Sequence, residues 1–138
     1  MPRTLLAVLA GLATMVLTVA AMESLGHAMF PPPAGVNLAD PEALERIIEV
    51  LPVASLAMVA CGWALGSLAG AWVAARIARQ FCLSAAMAVG GVMTMLVVAN
   101  FVMVPHPLWM ILAGIALPLP LAWVGWRSAV GATSRKLP

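Results

Sequence analysis

Met22-Glu23-Ser24-Leu25-Gly26-His27-Ala28-Met29-Phe30-Pro31-Pro32-Pro33 closes a long apolar run, and its reading sets the frame for the chain. No charge occurs between Arg3 and Glu23. If the helix of that run continues, Glu23 and His27 lie four residues apart on one face, about one turn from each other. The three prolines that follow remove backbone donors and favour an extended exit. Such an order, apolar, then polar for a turn, then closed to helix, marks the place where a helix leaves a membrane.

Working outward, the same logic repeats. Charge is absent between Glu49 and Arg76, and again between Arg79 and Arg127. A bilayer span needs about 20 apolar residues. The first two gaps hold one span each, and the third holds two with a turn between them. Of the 138 residues 64% are hydrophobic and 9% charged, against about a quarter charged in a soluble domain. The fold class expected is all-α, an integral membrane four-helix bundle forming one transmembrane domain over 1–138. Its spans fall at about 4–27, 53–75, 83–104 and 108–126, with a connection over 28–52. A cleavable secretory signal ending near Val19-Ala20-Ala21 is the competing reading of the first span.

Lys and Arg decide the orientation. Arg3, Arg76, Arg79, Arg127, Arg135 and Lys136 lie on one side, and Arg46 alone on the other with Glu23, Asp40, Glu42, Glu45 and Glu49. By the positive-inside rule both termini are cytoplasmic and the 28–52 connection is outside. The basic residues are few and hug the membrane, where anionic lipid attracts them, so no nucleic-acid partner is expected.

Within the connection, Asp40-Pro41-Glu42 is a helix start, with Asp as cap and Pro in the first position. Leu44, Ile47, Ile48 and Leu51 share one face and Glu42, Glu45, Arg46 and Glu49 the others. This pattern predicts a short amphipathic helix over 41–51 lying on the outer surface. In the second span, Ala54, Met58, Gly62, Gly66, Gly70 and Ala74 repeat every four residues. Gly62, Gly66 and Gly70 let another backbone approach closely, either within the chain or across an interface to a second copy or a partner membrane protein. In the fourth span Gly114, Pro118 and Pro120 predict a bend.

Few residues carry chemistry. Glu23, His27, Asn100 and His106, with Ser24 beside them, all fall within one or two turns of the outer boundary. A polar group inside a span marks a functional site or a hydrogen-bonded plug between helices. Glu and His suit a divalent metal such as zinc, though Glu-x-x-x-His lacks the two-histidine helix signature of a zinc peptidase. The cluster also suits a proton, ion or small-solute pathway in a channel or carrier, or an acid–base pair in a membrane hydrolase. No nucleophile motif accompanies it, and there is no Walker, Rossmann, Cys-x-x-Cys or Gly-x-Ser-x-Gly pattern. Cys61 and Cys82 stand about 20 Å or more apart along the membrane normal and are not placed to pair.

Glu23-Ser24-Leu25-Gly26-His27 with Phe30-Pro31-Pro32-Pro33, then Asp40-Pro41-Glu42 and Pro105-His106-Pro107-Leu108-Trp109, resembles a group of small bacterial four-span membrane proteins without assigned function. The resemblance spans essentially the whole chain and implies a multi-pass bacterial inner-membrane protein; it supplies no activity. The inner halves of the spans have almost no polar lining, which weighs against a continuous route for a solute. The reading that remains is a non-enzymatic accessory, scaffold or oligomer-forming protein in contact with the lipid bilayer, with no cofactor called for by any motif.

Overall fold

The computed structural model describes residues 2–31, 51–78 and 80–134. Those residues form five helices: α1 Pro2–Met29, α2 Val53–Ile77, α3 Cys82–Met103, α4 Leu108–Ala116 and α5 Pro118–Ser134. Helices α4 and α5 are two halves of one membrane-length stretch, Leu108–Gly131, so the bundle has four helical passes long and apolar enough to cross a bilayer. No strand occurs among the described residues. The amphipathic helix expected over 41–51 falls on 32–50 but for its last residue, outside the described residues, as do Arg135 and Lys136 of the tail.

Local chemistry explains each end. After Met29 the Phe30 N–H still reaches the Gly26 carbonyl (2.8 Å), and Pro31, with no N–H to donate, follows the end of the helix. Pro52 and Pro107, both extended, precede α2 and α4. Val104 takes an extended backbone before Pro105, as a residue preceding proline is driven to do. Between α2 and α3, Phe81 adopts the left-handed conformation (φ 57°), costing about 1–2 kcal/mol for an L side chain. The fourth pass breaks at Leu117 because Pro118 and Pro120 have no N–H for the carbonyls of Gly114 and Ala116.

Helix α2 is central and packs against α1, α3, α4 and α5. Its glycine stripe is covered by α1 of the same chain. A Cβ on Gly70 would stand 2.6 Å from the Gly11 carbonyl oxygen, and a Cβ on Gly11 2.7 Å from that of Gly70. Gly66 faces Val19 and the Met15 carbonyl, and Gly62 faces Met22. The use of this stripe as an interface to another chain thus meets a face already filled by α1, and the reason is its depth: backbone meets backbone. On the opposite side, a Cβ on Gly125 of α5 would come 2.5 Å from the Leu68 carbonyl oxygen.

The interior is built from small residues. Ala7, Ala71, Ala74, Ala85, Ala86 and Ala122 are buried, while Met95, Val102, Met103 and Leu108 are more than 70% exposed. Alanine and glycine thus let the helices close up around the larger buried side chains Met15, Met93, Met110 and Trp63, as packing must where lipid tails are as apolar as leucine. Among the described residues Ser67 is the buried polar one. Its hydroxyl donates to the Pro118 carbonyl at 2.7 Å, tying α2 to the break in the fourth pass. Ser67→Ala is expected to lower stability by about 1 kcal/mol. Thermal unfolding in detergent measures this, and an unchanged midpoint would mean that the bond ties nothing.

One end of the bundle is basic. The Arg3 Nε donates to the Ile77 carbonyl at 3.1 Å, closing the start of α1 on the end of α2. Arg76 lies over the Trp72 ring (5.0 Å) and Arg127 over Trp123 (5.2 Å). Cation–aromatic pairs of this kind suit the headgroup region.

Candidate functional site

The antiparallel arrangement carries Glu23, His27, Asn100 and His106 to the end opposite the arginines. They do not all meet. Glu23 from α1 and Asn100 from α3 line one lateral groove of about 220 Å³. Met15, Val16, Val19 and Ala20 form its α1 wall and Met93, Leu96 and Val97 its α3 wall, with Trp63 of α2 reaching in between. The groove lies between α1 and α3, which meet each other less extensively than α1 meets α2 along the glycine seam. Val16, Ala20, Leu96 and Asn100 are exposed on its rim, and it opens sideways.

His106 belongs to a second, adjoining group. It sits half-buried in the turn between α3 and α4, flanked by Pro105 and Pro107. Its Nδ1 lies 2.7 Å from the Val104 carbonyl, which only accepts, so Nδ1 carries a proton. The ring stands 5.0 Å from Phe101 and 6.1 Å from Trp63, and Trp63 and Phe101 meet edge to face at 5.6 Å. Gly114 makes room for this group: a Cβ there would be 2.7 Å from both Phe101 and Val97. Trp63 is shared, at once a groove wall and the base of the aromatic group.

His27 and Ser24 are exposed near the end of α1 and do not line the groove. Among the described residues no three of His, Cys, Asp and Glu stand together to hold a metal ion. Sequence reasoning named Glu23, Asn100 and His106, missed Phe101, and read Gly114 only as part of a bend. A glycine opposite two aromatics in the far halves of α2 and α3 was the signal, legible only with the helices paired. Cys61 is exposed and Cys82 half-buried, both free; the Cys82 thiol donates to the carbonyl of Ala78, the residue that caps the end of α2.

Three threonines inside the passes are turned back on their helices. Thr14 donates to the Ala10 carbonyl (2.9 Å), Thr18 to Thr14 (2.8 Å) and Thr94 to Gly90 (3.0 Å). No buried side-chain nitrogen or oxygen among the described residues lacks a partner. Chemically the site is thus an apolar groove with a carboxylate and an amide at one end. Compared with protein-family models, with curated proteins and with solved structures, the chain matches none.

Proposed function

We propose that this chain is a non-enzymatic accessory protein of a bacterial inner membrane, with cytoplasmic termini, that acts by holding another membrane component in its lateral groove. The observation that carries this reading is where the polar groups stop. Glu23 and Asn100 stand at one end of the groove, and the lining toward mid-membrane is Met15, Met93 and Trp63. A carrier or channel needs hydrogen-bonding groups along its path. Here the hydroxyls of Thr14, Thr18, Thr94 and Ser67 are engaged with backbone carbonyls. Recognition from the side needs only the groove. A homo-oligomer through Gly62, Gly66 and Gly70 is not part of the proposal, because α1 covers that face.

Vesicles containing the purified chain and a trapped pH dye test the reading. Under a proton gradient with potassium and valinomycin, proton entry is expected to match that of protein-free vesicles. Entry that depends on the protein and falls in Glu23→Gln would overturn the accessory reading in favour of a proton pathway.

A further inference from the structure

We infer that the groove between α1 and α3 holds one acyl chain of a phospholipid whose headgroup bears a primary ammonium, with Glu23 as its counter-charge. The inference rests on the accessory reading above and names the component held. Four features of the groove point the same way.

The first is access. Val16, Ala20, Leu96 and Asn100 are exposed along the rim, so entry is lateral, from within the bilayer. The second is size and shape. From Met15 to Glu23 the wall runs eight residues, about 12 Å at helical rise. A volume of 220 Å³ is below the usual range of about 300–1,000 Å³ for compact organic ligands. A helix about 10–12 Å across does not seat in it, whereas the headgroup-proximal half of an acyl chain lying along it does.

The third is polarity. Methionine, valine, leucine and alanine line the length, and the two polar side chains share one end, the layout of an amphiphile. The fourth is charge. Arg3, Arg76 and Arg127 lie at the opposite end of the bundle, and no ion pair is made to Glu23 among the described residues. Glu23 is itself exposed, open to a headgroup at the end of the groove, and a hydrogen bond from a charged donor to a carboxylate is about twice as strong as a neutral one. An ammonium has three donors, and the Glu23 carboxylate and the Asn100 carbonyl both accept. Phosphatidylglycerol has no cation to offer, and the trimethylammonium of phosphatidylcholine has no donor.

Native mass spectrometry of the full chain tests this, after release from bilayers of equal parts dioleoyl phosphatidylethanolamine, phosphatidylglycerol and phosphatidylcholine. The wild type is expected to retain one phosphatidylethanolamine. Glu23→Gln should cut that preference by about tenfold while some lipid of any class still binds, the loss expected for one charge-assisted contact. Ala20→Phe, at an exposed groove position, should expel lipid of every class without unfolding the bundle. Equal retention of the three lipids by the wild type, an unchanged preference in Glu23→Gln, or retention unaffected by Ala20→Phe would each overturn the inference. A lipid-free chain that dimerises would overturn it in favour of a second copy. None of these results bears on proton entry, so the lipid inference and the accessory reading fail separately.

Discussion

Gly70→Val is expected to destabilise the bundle by about 3 kcal/mol, at the upper part of the range for overpacking a close contact. The first added carbon would lie 2.6 Å from the Gly11 carbonyl oxygen, 2.9 Å from the Met15 Cβ and 3.0 Å from a Val89 methyl. A side chain would turn aside; a carbonyl in a helix cannot. Relief therefore requires α1 to move off α2, which also separates Gly66 from Val19 and Gly62 from Met22. Gly91→Val is the control, since a Cβ there meets nothing within 4 Å. Reversible unfolding of the two variants in mixed detergent gives the comparison. A Gly70→Val loss no larger than that of Gly91→Val would mean that α1 does not seat on the glycine stripe.

Trp63→Ala should cost about 3–4 kcal/mol, the usual penalty for emptying a large aromatic site. Trp63 is 6% exposed, meets Phe101 edge to face and supports His106, so its removal leaves a void between α2, α3 and α4. The groove also loses the wall that α2 contributes. Trp109→Ala, at a position 40% exposed, should cost far less. The same unfolding assay separates them. Similar losses for the two tryptophans would place Trp63 at the periphery and remove the shared wall from the description of the site.

Much of the fold was legible because charge is so costly in hydrocarbon that its absence alone marks each pass. The gaps after Arg3, Glu49 and Arg79 are enough to count four helices and to alternate their directions. Pro118 and Pro120 foretold the interruption at Leu117 for an equally local reason, the missing donors. The neighbour of the glycine stripe was less accessible. Spacing by four shows that one face of α2 is thin, but any thin face serves, and only the fitted bundle puts Gly11 against Gly70.

The site divides along the same line. Depth along the membrane normal follows from counting residues, which is why Glu23, His27, Asn100 and His106 share an end. Rotation about each helix axis does not follow from counting. It decides that Glu23 and Asn100 look into one groove, that His27 looks away, and that His106 folds onto Phe101. In a soluble helix an apolar stripe fixes that rotation; α3 is apolar on every side and offers no such stripe.

The seam of α1 with α2 also bears on how the chain is made. Its pairs, Gly11 with Gly70 and Ala74, Val19 with Gly66, Met22 with Gly62, lie wholly in the first two passes. Once a ribosome has released Ile77, both sides of that seam are free to meet, whereas Gly90, Pro118 and Gly125 have yet to emerge. The opposite face of α2, with Ser67, Ala71 and Ala75, must wait against lipid for partners on α5 such as Ala122. Those waiting residues are small, and a lone serine hydroxyl can turn back on its own helix in the interval. Translation from the N-terminus thus delivers the most extensive contact first and leaves the face of α2 that meets α5 for last.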